Sequence, residues 1–209
     1  MGQAMAIFGF IEHLGLSVVL PKVYRHVIGE TRDNVAWTMI EISQEQAEDW
    51  WQVENLYDLS FAPGREALSS YRLREGVSPV SDLSMVARAA ESGVIAAIRY
   101  WPIVIGDKNA PALLLGPIAV HPAHQSEGLG GGLMRASLQM AKELGWKRVI
   151  LVGDYPYYQR FGFVPARELE FPPPTNPDRL LCLALDEAGF SGVSGAIKSV
   201  KSVASGHGV

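Results

Sequence analysis

From Trp37 onward, apolar residues fall into short runs separated by turn signals, and the spacing inside each run assigns most of the elements. Trp37 to Ile42 reads as a strand. Ser43 follows as a helix N-cap with Gln46 three residues on, in capping-box spacing. Ala47, Trp50, Trp51, Leu56 and Leu59 then recur at roughly helical period, and a second helical piece covers Arg65 to Arg74. Strands at Leu83–Ala89 and Val94–Ile105 are joined by a hairpin turn, Glu91-Ser92-Gly93, and Gly106-Asp107-Lys108-Asn109 turns the chain into a third strand, Leu113–Val120. A helix-like run, Leu133 to Leu144, ends at Gly145 as a C-cap. Val149–Val152 reads as a short buried strand and Pro156–Phe161 as a short helix. Strands over Ala166–Phe171 and Leu180–Leu185 flank the proline-rich loop Pro172–Pro177.

This order of strand, two helices, three antiparallel strands, helix, strand, helix and two strands predicts an α/β sandwich. Its sheet is mixed and mostly antiparallel, and helices flank it. Residues 37–186 form the domain. Residues 1–36 stand apart, with a fairly apolar stretch from Ala4 to Leu20, holding a possible short helix, and then a polar one from Gly29 to Asn34. That extension is open to three readings: a segment packed on the domain, a dimerisation strap for a homodimer, or translated sequence upstream of a start near Met39. The tail 187–209 is rich in Gly and Ser and is expected to be loosely held.

Composition narrows the class. A chain of 209 residues with net charge −4 offers no basic face for nucleic acid. Glu12 and His13 interrupt the apolar N-terminal stretch, which is too short to span a bilayer. No basic segment precedes it, so a cytoplasmic protein without a membrane partner is expected. The single cysteine, Cys182, excludes an intramolecular disulfide and lies in an apolar run that predicts a core position. No metal-ligand spacing stands out.

The chemistry concentrates at Gln125-Ser126-Glu127-Gly128-Leu129-Gly130-Gly131-Gly132, between a strand and a helix. Such a loop gathers free backbone N–H groups at a helix N-terminus, a site for phosphate or pyrophosphate. A Walker loop needs Lys-Ser or Lys-Thr after the glycines, and neither follows. A Rossmann fingerprint needs a glycine where Leu133 stands. Upstream, Pro117 within a central strand removes a ladder donor and argues for a bulge.

Gln125-Ser126-Glu127-Gly128-Leu129-Gly130 resembles the (Gln/Arg)-x-x-Gly-x-(Gly/Ala) motif of the GNAT N-acetyltransferases. Gly116-Pro117-Ile118-Ala119-Val120-His121-Pro122 is similar to that family's fourth strand and its exit, and Tyr157-Tyr158-Gln159-Arg160-Phe161-Gly162-Phe163 to its Phe-Tyr-x-x-x-Gly-Phe segment. The likeness covers roughly Met39 to Leu185 and is strongest to the YhbS-like branch of bacterial acetyltransferases.

The resemblance implies the GNAT fold, with a splayed fourth and fifth strand pair, and acetyl-CoA as co-substrate with no metal. Its pyrophosphate would rest on Gln125, Ser126, Glu127, Gly128, Leu129, Gly130 and Gly131, with Arg135 adding a polar contact. Its pantetheine arm would pair with the strand at Ile118, Ala119 and Val120. The Ile118 N–H would hold the thioester carbonyl and Tyr158 would act as general acid, whereas Tyr157 would pack. A carboxylate that some relatives carry on this strand is replaced by Leu114, which leaves Asp154, His121, His124, Glu66 or an ordered water as base. The implied reaction is acetyl transfer to a primary amine by direct attack through a tetrahedral intermediate. A longer acyl-CoA, an acyl carrier protein donor and a non-catalytic acyl-CoA sensor are the alternatives. The acceptor, a small molecule or a peptide amine, would enter between Phe61–Arg74 and Pro172–Pro177. Arg65, Arg72, Arg74 and Glu75 make that wall mixed in charge and leave the acceptor unidentified.

Overall fold

The sheet begins earlier than the apolar pattern suggests. The computed structural model describes residues 22–31, 34–61, 64–90 and 92–204, and the possible helix within 4–20 lies outside them. Strand β1 (Lys22–Thr31) pairs antiparallel with β2 (Asn34–Gln44), so the boundary expected at residue 36 falls inside a strand. Backbone pairing asks nothing of side-chain polarity, which is why the polar stretch near Gly29 did not read as strand.

Helix α1 (Trp50–Ser60) follows a 3-10 turn over Ala47–Asp49. The 3-10 turn is capped by Gln46 and helix α1 by Asp49, whereas Ser43 is still in β2. The Gln46 N–H donates to the Asp49 carboxylate (2.7 Å), and Arg88 grips the same carboxylate from β3 (Met85–Ala89). That hydrogen bond from Arg88 holds the Asp49 carboxyl below the usual range. The buried face of α1 is Val53, Leu56 and Tyr57, packed on Val86, Val94, Ala97 and Ala119. Trp50, Trp51 and Leu59 are 63%, 59% and 56% exposed; Trp51 and Leu59 belong to the i, i+4 row facing away from Val53. Helix α2 is shorter than expected, Ser69–Arg74, because Leu68 adopts an extended conformation that separates it from a 3-10 turn at Arg65–Ala67.

After β3 the chain forms β4 (Gly93–Ile105), β5 (Ala110–Val120), α3 (Leu129–Glu143), β6 (Arg148–Val152) and α4 (Tyr155–Tyr158). The strand expected over Ala166–Phe171 is instead two short pieces, β7 (Val164–Pro165) and β8 (Leu169–Glu170), before β9 (Leu180–Ala184). The expected tail is not loose over residues 187–204. It supplies β10 (Gly195–Ser199) and α5 (Val200–Ala204), and Ile197 is 3% exposed. Its glycines and serines hid one inward-pointing isoleucine, enough to fix the strand's register.

The sheet order is β1-β2-β3-β4-β5-β6-β9-β7, with β10 beside the second half of β4 and pairing with β8. The described pairs are antiparallel except β5 with β6 and β10 with β8. On one face α3 lays Leu133, Met134, Leu138 and Ala141 over Ile40, Met85, Ile98, Leu113 and Val149. On the other face lie α1 and α2, the latter through Leu73 against Trp101, Ile103 and Leu114. Cys182 packs partly buried at the edge of that second cluster, and burial pushes its thiol pKa up. Among the described residues no helix is long and apolar enough to cross a membrane.

Candidate active site

The site starts from the irregularity in β5. Opposite β4, Ile98 faces Ile118 and Tyr100 faces Leu115, so Gly116 and Pro117 together oppose Arg99 alone. This is the expected bulge. It switches the facing of the strand: Leu115 and Ile118 both pack toward α3, which an unbroken alternation forbids. Gly116 has φ +122°, a conformation suited to glycine, and the Tyr57 hydroxyl donates to the Pro117 carbonyl from the α1 side (3.4 Å). Pairing with β6 covers only Leu113–Val149 and Leu114–Ile150. Beyond that the two strands part, and the β5 edge from Leu115 to Val120 is open.

A cleft of about 560 Å3 lies along this edge. Ile118, Ala119 and Val120 form one wall. Gln125, Ser126, Gly128, Leu129, Gly130 and Gly131 form its floor, and Tyr157 and Tyr158 close the far side together with Arg135. One member of the expected set is missing from the walls. Glu127 turns its carboxylate to His124 Nδ1 (3.2 Å).

Helix α3 begins four residues before the expected Leu133. Gly128 is its N-cap with φ +78°, and Ser126 has φ +75°. The first intrahelical bond runs from the Gly132 N–H to the Gly128 carbonyl (2.9 Å). The amides of Leu129, Gly130 and Gly131 therefore precede the ladder and are free for an anion, with the helix dipole behind them. A Cβ on Gly130 would sit 3.2 Å from the Tyr157 hydroxyl and 3.4 Å from Val120 Cγ2, so glycine here keeps the cleft open.

Tyr158 lies edge-on to Tyr157 (4.9 Å) and Phe163 (5.9 Å). Burial pushes its phenol up to about 12. The phenol is therefore protonated at neutral pH. Tyr157, expected only to pack, touches Phe161 but is 36% exposed, carries the Arg160 guanidinium at 3.9 Å from its ring, and points its hydroxyl at the glycine turn. Arg160 and this hydroxyl escaped the sequence reading; the Tyr157–Arg160 spacing in a short helix was the available signal. Gly153 also escaped it. A Cβ there overlaps the Tyr158 ring, so Gly153→Ala is expected to displace the phenol and lower kcat about as far as loss of the hydroxyl does, at a cost of about 1–3 kcal/mol in unfolding free energy. Steady-state kinetics beside urea unfolding checks this.

The candidate bases are all locally engaged or exposed. His121 Nδ1 accepts the Ala123 N–H (3.2 Å), His124 meets Glu127, Asp154 pairs with Arg179 (3.1 Å), and Glu66 is exposed in its 3-10 turn. On the α1 side of the sheet, Arg99 is held by Glu45 (2.8 Å) and Glu54 (2.6 Å), and Arg65 by Glu54 (2.7 Å) and Asp58 (2.8 Å). The two segments expected to wall the acceptor meet, as Ser69 donates to the Pro174 carbonyl (3.0 Å) and receives Thr175 Oγ1–H (3.1 Å).

A bulged, splayed strand facing a glycine-capped helix is the frame of an acyl-CoA N-acyltransferase. Residues 41–166 match the family model described as acetyltransferase (GNAT) domain, and the chain belongs to that family. It is 31% identical over 117 residues to the uncharacterized N-acetyltransferase YjhQ of Escherichia coli K12, a match covering 55% of this chain and 65% of that protein. It is 29% identical over 111 residues to the uncharacterized N-acetyltransferase YhbS of the same organism, again spanning 65% of its length. The crystal structure of E. coli YhbS with CoA superposes with TM-score 0.69 at 24% identity, covering 84% of this chain and 96% of that one. A GNAT acetyltransferase from Brucella melitensis, solved with acetyl-CoA, gives TM-score 0.54 at 27% identity over 70% of this chain and 88% of that one.

Proposed function

We propose that the domain transfers an acetyl group from acetyl-CoA to a primary amine. The observation that carries this reading is the cleft itself. It joins free helix-start amides, an open strand edge and a protonated phenol in the order that pyrophosphate, pantetheine and thioester follow along acetyl-CoA. The relatives crystallised with CoA and acetyl-CoA support it.

In this reading the amides of Leu129 to Gly131 hold the pyrophosphate, and the arm lies along Ile118 to Val120. The amine lone pair attacks the thioester carbonyl carbon. The carbonyl electrons move to oxygen, where the Ile118 N–H stabilises them. The intermediate collapses by breaking the C–S bond, and Tyr158 gives its proton to the departing sulfur; the proton lost by the attacking nitrogen restores the phenol. Leu114 offers no carboxylate base, so the amine enters deprotonated. The test combines calorimetric titration with acetyl-CoA and a thiol-release assay over an amine panel. Binding with turnover supports the proposal. Binding with no turnover of any amine makes the domain a sensor, and no binding overturns the reading.

A further inference from the structure

Helix α2 carries a cation that the fold does not neutralise. The Arg74 guanidinium lies between two rings, 4.7 Å from the Tyr71 centroid and 4.5 Å from that of Trp101. Its Nε and Nη1 are shut off from solvent and, among the described residues, make no hydrogen bond. Arg65 and Arg99, on the same side of the sheet, are each fixed by two carboxylates. An unsatisfied buried guanidinium is costly, and such groups call for a partner. Burial draws the Arg74 pKa down to about 10, so it stays charged at neutral pH.

Its position relates it to the reacting carbon. Arg74 Nη2 lies 3.6 Å from where a Cβ on Gly116 would sit, against the bulge that presents Ile118 two residues later. It is on the α1–α2 side, opposite α3, and α2 is tied to the proline-rich loop through Ser69 and Thr175. The rings cover the faces of the guanidinium, so a partner meets it only along its N–H edge.

We infer that Arg74 anchors a carboxylate on the acceptor, so that the substrates are amines that also bear a carboxylate. The inference rests on the transferase reading for the amine, and on Arg74 alone for the acid. A guanidinium fork matches a carboxylate bidentately, and the match is strongest where water is excluded.

The experiment pairs glycine, 4-aminobutanoate and L-phenylalanine with their carboxamides, as acceptors with acetyl-CoA and as ligands in 1H–15N spectra. The reporter is the Trp101 indole N–H, which donates to the Val77 carbonyl (3.2 Å) beside Arg74; it is assigned by its loss in Trp101→Phe. At least one acid is expected to move this resonance while its amide does not, and to be acetylated with kcat/KM about tenfold or more above the amide, the value of one charge-assisted hydrogen bond. Arg74→Met should bring that acid down to the level of its amide with acetyl-CoA affinity unchanged, and Arg74→Lys should keep part of the preference. Amides acetylated as fast as acids overturn the anchor and leave the transferase standing. Acids that move Trp101 with no amine acetylated support the anchor and defeat the transferase. Acids that leave Trp101 unmoved and show no preference in turnover overturn the inference.

Discussion

Gly130→Asp is expected to weaken acetyl-CoA binding by about 100-fold or more, the equivalent of roughly 2.7 kcal/mol. Two effects add. The new side chain starts 3.2 Å from the Tyr157 hydroxyl and 3.4 Å from Val120, inside the cleft. Its charge then sits among the Leu129, Gly130 and Gly131 amides, where it competes with and repels the pyrophosphate. The apo protein should not suffer, because an aspartate in the first turn of α3 favours the helix. Calorimetry for acetyl-CoA together with thermal unfolding of the free protein separates the two: lost binding with unchanged stability is the expected pair. Gly130→Ala should cost far less, since Tyr157 can give way at its hydroxyl end.

Tyr158→Phe is expected to lower kcat by about 100-fold while the acetyl-CoA KM stays close to wild type. The ring packs on Tyr157 and Phe163, so phenylalanine keeps the ring packing and removes the hydroxyl with its proton. The alkaline range gives a second readout. The folded phenol is pushed up to about 12 by burial, above its unfolded value near 10. Its contribution to stability is therefore complete below pH 10 and is lost as pH rises through the folded value. Tyr57 and Tyr100 are raised in the same direction by their burial. Between pH 10 and 12 the variant should lose stability less steeply than wild type by about 1.4 kcal/mol per pH unit, one proton's worth. Urea midpoints across that range measure it. An unchanged kcat would remove Tyr158 from the chemistry.

Much of this site was legible because its parts are local. The glycine turn, the proline that bulges β5 and the tyrosine of α4 each announce themselves within a few residues, and their order along the chain supplied the rest. The start of α3 was misplaced because Gly130, Gly131 and Gly132 have poor helix propensity, yet the tertiary contacts of Leu129 and Leu133 draw them into the helix. In helix α1 the apolar pattern finds Leu56 of the buried face but adds Trp50, Trp51 and Leu59, which are exposed, and misses Val53 and Tyr57, which meet the sheet. Strand β10 depended on Ile197 reaching the edge of β4 from nearly a hundred residues away. The isolation of Arg74 was invisible for a different reason. It depends on which arginines Glu45, Glu54 and Asp58 reach, and Arg99 lies 54 and 45 positions from the two glutamates it meets.

The most direct test of the central claim is a 1H–15N titration of the free domain with acetyl-CoA. The account predicts shifts concentrated at the amides of Ile118, Val120 and Ser126 to Gly131, with the Leu129–Gly131 set moving also with 3′-phosphoadenosine 5′-diphosphate and the Ile118 amide moving only when pantetheine is present. Shifts centred on another surface, or an unmoved glycine turn under saturating acetyl-CoA, would contradict it.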